Sequence, residues 1–473
     1  MSKFRTEHDT MGEMQVPVEA LYGASTARAV ENFPVANEPV PAALIHAFGQ
    51  LKAACAQANL DLGKLEPRIA AVILAAADEV AAGQHDAQFP VDIYQTGSGT
   101  STNMNANEVI ANLANQKLGL GVGAKGAKGA EGAVHPNDHV NMGQSSNDTF
   151  PTAMHTAAVL ELWKLRDALL NLDAELTKKS EAWDHIVKVG RTHLMDATPI
   201  RVGQVFAGYE NQVHDGIQLV ENSARWLAKN MPIGGTAVGT GINTHPEFAA
   251  RVCRSLTERT KREFKETENH VSCQAAKDYF VEAHGNLKTI AVSLSKIAND
   301  IRHLGSGPRC GIFELSLPAT QPGSSIMPGK VNPVICESVM QVACRVIGND
   351  ATVTTAGLGG VGSLFELNVA MPVMIDAFLE SVKLLANVSN VFVDKLLTGL
   401  EVNAERCREL LDQSLMTVTS LAPKIGYEQA AALAKEAFKS GKTIRQLCLD
   451  KKVLPAAELD ELLDPDSMTR PSI

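Results

Sequence analysis

The chain has 473 residues, with 43 Lys and Arg against 53 Asp and Glu for a net charge of −10. No basic cluster stands out against that acidic balance, which argues against a nucleic-acid partner. Hydrophobic residues at 45% and charged residues at 20% suit a globular protein rather than a disordered one, and the 5% aromatic content favours helices over a sandwich or barrel.

No apolar run reaches the roughly 18 to 20 residues a membrane-spanning helix needs; Ala70–Ala77 falls far short. Met1–Thr10 alternates charge and polarity without an apolar signal core, so the sequence reads as cytoplasmic. The eight cysteines never fall in C-x-x-C spacing, so neither a metal site nor a disulfide framework is expected, and most read as buried free thiols. At roughly 150 residues per domain the length predicts two to four domains.

Residues 1–145 read as a mixed, mostly helical domain, with helices expected over Pro41–Leu60 and Pro67–Ala82. The tract Gly119–Gly132 reads as a solvated loop. Its Gly121, Gly123 and Gly126 match G-x-G-x-x-G, but no strand precedes them and no helix opens there, as a dinucleotide site requires. From about residue 150 the pattern changes. Apolar residues recur at helical spacing over Thr152–Trp183, Gly203–Asn230, Asn269–Leu304, Pro333–Thr355 and Glu366–Leu397. A 30-residue helix spans about 45 Å, so these segments predict a mainly all-α fold with a long bundle as its central domain, 146–398. Cys336–Ile347 and Val369–Leu379 are apolar on more than one face, which predicts a homo-oligomer of closed symmetry. The tail, 399–473, reads as a small helical domain, with a stripe over Glu428–Lys439 and a further helix over Thr443–Leu449.

Four polar segments interrupt the helical pattern. Thr96–Asn103 (T-G-S-G-T-S-T-N) reads either as a capping loop or as an anion site of glycines, hydroxyls and helix amides. His135-Pro136-Asn137-Asp138 is followed by Gln144-Ser145-Ser146-Asn147-Asp148, where Asn147 or Asp148 could cap the next helix while the serines offer donors to an anion. Gly190–Pro199 holds His193, a candidate proton carrier that Arg191, Thr192 and Asp196 could tune. Pro318–Pro333 is too rich in Pro and Gly for helix or strand and reads as a mobile lid. It is not a phosphate-binding P-loop, because the glycine spacing is wrong and Val331 follows Lys330.

These segments resemble the motifs of the aspartase/fumarase superfamily, lyases that release fumarate by elimination across a C–C bond. Gly323–Pro333 (G-S-S-I-M-P-G-K-V-N-P) is similar to its signature. Thr96–Asn105, His135–Asn141, Ser145–Asp148 and Gly190–Leu194 follow in the family's order, and Arg5–Gly12, Tyr22–Arg28 and Gly234–Gly241 fit as well. Within the superfamily, His193, Ser98 and Ser146 resemble the fumarase branch, where aspartases typically carry Gln, Ala and Thr. Aspartase activity, hydration of methylated dicarboxylates such as mesaconate, and a catalytically silent binding protein on the same fold remain the alternatives.

The resemblance implies three helical domains, a central five-helix bundle, and a homotetramer whose active sites are each shared by three subunits. It also implies reversible hydration of fumarate to (S)-malate through an aci-carboxylate intermediate, without metal or organic cofactor. Ser324 would be the base and His193 would transfer a proton through a water, held by Glu337. Ser98, Gly99, Thr100, Ser145, Ser146, Asn147, Thr192, Ser325, Lys330 and Asn332 would bind the dicarboxylate, with Asn103 in support. His135, Asn137 and Asp138 resemble a second dicarboxylate segment, although Gly132-Ala133 stand where relatives often carry basic residues. Met195 replaces a commoner Gln beside His193.

Overall fold

The computed structural model describes residues 3–124 and 132–471. The chain opens with a hairpin of β1 (Phe4–Asp9) and β2 (Gly12–Pro17), in register from Phe4↔Pro17 to Asp9↔Gly12. Next come α1 (Ala24–Asn32), α2 (Ala42–Asp61), α3 (Pro67–Ala81), α4 (Thr100–Lys117) and the long α5 (Ser146–Ala182). A second hairpin, β3 (Val187–Thr192) and β4 (Met195–Arg201), leads into α6 (Val202–Ala228). After α7 (Phe248–Thr260), α8 (His270–Ala275) and α9 (Asp278–Leu304) come α10 (Val334–Gly357) and α11 (Met371–Lys395). The tail holds α12 (Ala404–Gln413), α13 (Ala422–Ile425), α14 (Tyr427–Ser440), α15 (Ile444–Asp450) and α16 (Ala456–Leu462). The fold is mainly helical, as the composition predicts. Among the described residues no helix is long and apolar enough to cross a membrane.

The departures from the sequence reading have local causes. Helix α5 begins at Ser146 rather than Thr152, with Pro151 held inside it, because Ser145 and Asp148 cap its end. The segment Asn269–Leu304 is two helices, not one. Ala276 is extended, and the buried Lys277 donates from Nζ to the carbonyls of Cys273, Gln274 and Ala276, satisfying the open end of α8. Gly119–Ala124 leave α4 as irregular chain and turns, with no strand before them; Gly126 lies outside the described residues. Six of the cysteines are buried free thiols, while Cys310 and Cys344 are exposed.

The chain divides into two compact units. The first comprises Met1–Asp167, Gln218–Ala291 and Cys344–Ala386, and the second Ala168–Ile217, Val292–Ala343 and Asn387–Ile473. In the first, Leu44, Phe48 and Leu51 of α2 are buried with Ile69, Ile73 and Val80 of α3. Gly49 lets these helices touch, since a Cβ there would lie 2.4 Å from the Ala81 nitrogen. The Glu108 carboxylate of α4 accepts from the amides of Gly23, Ser25 and Thr26 and so caps α1. Arg28 of α1 pairs with Asp9, and Arg5 donates to the carbonyls of Pro17, Ala20 and Tyr22. The resemblance segments Arg5–Gly12 and Tyr22–Arg28 thus meet as a structural clamp.

His155 lies fully buried in the same unit. Its Nδ1 donates to the Leu227 carbonyl at 2.8 Å, and its ring stands edge-on to Phe280. Burial lowers its pKa to about 3, with the Leu227 bond opposing that shift and Lys277 adding to it. The unfolded chain takes up this proton near pH 6.5, so the neutral ring's contribution is complete above that pH and is lost as pH falls toward 3. In that window stability should fall by up to about 1.4 kcal/mol per pH unit per chain. Thermal unfolding followed from pH 7.5 to pH 5 should show a shallower acid slope in His155→Gln, which keeps a donor but does not titrate. Equal slopes in the two proteins would remove His155 as the cause.

In the second unit Trp183, Phe206 and Tyr209 form an edge-to-face run, and the Tyr209 hydroxyl donates to Asp300. The tail contributes its own core of Val418, Leu421, Leu433, Ile444, Leu447 and Leu459. Helix α15 opens on a capping box of Thr443 and Gln446.

Candidate active site

The first unit holds the glycine-hydroxyl loop and the start of α5. Gly97 lies against the Val369 carbonyl, where any Cβ would approach to 1.7 Å, and its own carbonyl accepts from the Met371 amide. Gly99, at φ +73°, opens α4, and a Cβ there would lie 2.0 Å from the Phe150 ring. Between the two glycines the Ser98 hydroxyl lies 2.8 Å from that of Thr100. One turn along α4, the buried Asn103 donates from Nδ2 to Ser146 Oγ at 3.0 Å and to Asn141 Oδ1 at 3.3 Å. The Thr96–Asn103 loop and the Ser145–Asp148 segment are therefore one constellation.

At the start of α5 the capping reading holds for Asp148. Asp148 is the cap: its Oδ1 accepts from the Ser145 amide, while Oδ2 accepts from the amides of Gly234 and Thr236. The carboxyl is fully buried, and burial raises its pKa against those hydrogen bonds. Asn147 donates from Nδ2 to the Ala237 carbonyl, so Asp148 and Asn147 together tie the Gly234–Gly241 loop to α5. His135 caps the turn that follows it, its Nδ1 accepting from the amides of Asn137 and Asp138. Those two amides already have a partner, and the Asp138 carboxylate is exposed beside them.

The second unit holds His193 and the lid segment. His193 and Leu194 form the two-residue tip of the β3–β4 hairpin with φ +56° and +64°, and the side chain of His193 is exposed. Arg191 does not tune it. That guanidinium is committed to the buried Glu314 through two bonds of 2.9 and 3.0 Å, with Lys188 a third contact at 3.1 Å. Among the described residues no hydrogen bond joins His193 to Glu337, which sits exposed in the first turn of α10.

Ser324 has the most informative surroundings on the lid. Its Oγ accepts from the backbone amides of Ile326 at 3.2 Å and Met327 at 3.0 Å. Asn332 donates from Nδ2 to the Gly323 carbonyl at 2.5 Å and closes the loop at its base. Gly323 is required there, because a Cβ would come 2.1 Å from the Lys330 carbonyl oxygen. Ser325 and Lys330 are exposed, as is Thr192 at the end of β3.

Not every participant falls within a sequence motif. Lys52, Asn141 and Gln144 support the first constellation, and only the presence of a lysine in an otherwise apolar stretch of α2 hints at the first of them. Among the described residues, Asp173 of α5 with Glu210 and His214 of α6 place possible metal-ligand atoms within 4.8 Å of one another. The group draws on two helices, so no linear motif announces it.

The family model described as a lyase matches residues 12–348, and one described as the fumarase C C-terminus matches residues 417–470. The chain is 52% identical over 469 residues to a protein of Corynebacterium glutamicum named fumarate hydratase class II, covering 98% of this chain and 96% of that one. It is 49% identical over 473 residues to the protein of Saccharomyces cerevisiae named fumarate hydratase, mitochondrial, covering 99% and 95%. The crystal structure of a class II fumarase from Schistosoma mansoni superposes with a TM-score of 0.93 at 37% identity, covering 99% of this chain and all of that one.

Proposed function

The chain belongs to the class II fumarate hydratases, a family of lyases, and from that premise we propose how its residues interconvert fumarate and (S)-malate. Ser324 is the base that removes the C3 proton of malate. His193 transfers a proton through a water as hydroxide leaves C2. The intermediate is an aci-carboxylate dianion, and its stabilisation dominates the barrier, because the C3 proton is only weakly acidic.

The observation that carries this reading is the pair of amides on Ser324 Oγ. A serine hydroxyl is a poor base until its anion is favoured. Both amide bonds strengthen as the oxygen gains charge, since a hydrogen bond to an ionised acceptor is roughly twice as strong as a neutral one. Lys330 adds a cation on the same loop. The carboxylates are held by Ser98, Gly99, Thr100, Ser145, Ser146, Asn147, Thr192, Ser325, Lys330 and Asn332. Asn147 and Asn332 each spend one amide hydrogen on a carbonyl and keep the other for substrate. His135, Asn137 and Asp138 form a second dicarboxylate segment in this proposal, although the His135 ring competes with any anion for the two amides.

The active unit in this proposal is a homotetramer with sites shared among three subunits, each chain divided into domains 1–145, 146–398 and 399–473. Large apolar side chains left bare on the single chain support association: Phe365 is 83% exposed, and Val361, Leu364 and Val369 are exposed as well. A cytoplasmic location belongs to the same proposal, as does a substrate set limited to small dicarboxylates.

Ultraviolet absorbance of the purified protein with (S)-malate or L-aspartate, incubated separately, tests the substrate. Fumarate should form from malate alone. Fumarate from aspartate alone would overturn the hydratase reading while leaving the lid chemistry intact.

A further inference from the structure

Lys52 does not touch the proposed substrate, yet it is placed to control a group that would. It sits on α2 with no exposed surface, and among the described residues no carboxylate pairs with it. Its Nζ donates to two side-chain carbonyls, Asn141 Oδ1 at 3.0 Å and Gln144 Oε1 at 2.8 Å. A buried ammonium without an ion-pair partner is costly. Burial lowers its pKa to about 7, with Cys55 and Asp148 opposing that shift.

The network has a direction. In its ammonium form Lys52 can only donate, and Asn141 turns its oxygen toward it while its nitrogen donates to the Gln144 carbonyl. The same Asn141 oxygen accepts from Asn103 Nδ2, which fixes the Asn103 amide with nitrogen toward Ser146. Ser146 Oγ therefore accepts on this side, and its one proton is left to be given elsewhere. Asn103 Oδ1 is buried without a hydrogen-bond partner among the described residues, a cost of this orientation. A flipped Asn103 would present that oxygen to Ser146 and absorb the hydroxyl proton.

We propose that Lys52 is a positioning residue which, through Asn141 and Asn103, holds Ser146 as a hydrogen-bond donor toward a substrate carboxylate. The proposal rests on the reading of Ser146 as part of the dicarboxylate site. Lys52 acts on binding more than on proton transfer, so its loss should appear in KM and in the affinity for an unreactive dicarboxylate.

The test is a double-mutant cycle on the intact enzyme, with steady-state kinetics on (S)-malate and the dissociation constant of succinate. Lys52→Met keeps the length of the buried chain. It should raise both KM and the succinate constant about ten- to hundredfold, as expected for one hydrogen bond to a charged group, with a smaller change in kcat. Ser146→Ala should do the same, and the double variant should be no worse than Ser146→Ala alone. Effects that multiply would overturn the relay from Lys52 to Ser146. Normal succinate binding by Ser146→Ala would instead overturn the reading of Ser146, whatever Lys52→Met does. If Lys52→Met does not assemble, Asn141→Leu interrupts the same relay and leaves Lys52 its bond to Gln144. Its KM increase must then vanish in the Ser146→Ala background, and a multiplied effect would again overturn the proposal.

Discussion

Replacing Ser324 with alanine is expected to lower kcat for fumarate formation by about 10²- to 10⁴-fold, the range a positioned base contributes. The fold should survive. Among the described residues Ser324 Oγ is bound only by the amides of Ile326 and Met327, on a loop where Ile326 is 82% exposed, so water can take over both donors when the hydroxyl is gone. The base of the loop is held independently by Asn332 on the Gly323 carbonyl. Dicarboxylate affinity should therefore change far less than kcat. Stopped-flow or steady-state absorbance at 240 nm or so, with circular dichroism as the folding control, reads both quantities. A kcat close to that of the unaltered enzyme would remove Ser324 as the base, and a comparable loss in succinate affinity would make the serine a binding group instead.

The elements that carry the frame were legible because their periodicity is strong. The expected Pro67–Ala82 and Glu428–Lys439 helices match α3 and α14 to within a few residues, since local pattern and packing agree there. The β3–β4 hairpin was not legible. Its tip puts His193 and Leu194 at positive φ without the Asn or Gly that usually announces such a turn. The break between α8 and α9 was hidden for a different reason: Lys277 reads as a polar residue on a helix face, and only the fold shows it turned inward onto three carbonyls. Site motifs stood out where glycine is forced by close approach, as at Gly97, Gly99 and Gly323. What supports those motifs did not, because Lys52 and Asn141 are 89 positions apart and Lys52 is ordinary in its own stretch. Linear spacing reports what a loop can do, while the polarity of a hydrogen-bond network depends on partners that only the fold assembles.

Mixing two inactive variants should restore activity, and the amount follows from how the sites are shared. His193→Asn alone should lower turnover strongly, as Ser324→Ala does. In the single chain His193 stands exposed on a hairpin tip and, among the described residues, forms no hydrogen bond with Glu337, which is itself exposed at the start of α10. Groups of the proposed site that do not meet one another among the described residues of one chain are expected to find partners on another copy when the assembly has closed symmetry. If the His193 and Ser324 of one site come from different subunits, a working site needs His193 from a Ser324→Ala chain and Ser324 from a His193→Asn chain. With equal amounts and random exchange, each condition holds half the time, so about a quarter of the sites should be intact in a closed homo-oligomer. Activity in the exchanged mixture should approach about a quarter of that of the unaltered enzyme under the same statistics. Native mass spectrometry of isotope-labelled chains verifies that exchange has occurred. Mixed oligomers that stay as inactive as their parents would place both residues of a site on one chain and overturn the shared-site proposal, because no combination of these variants then supplies an intact pair.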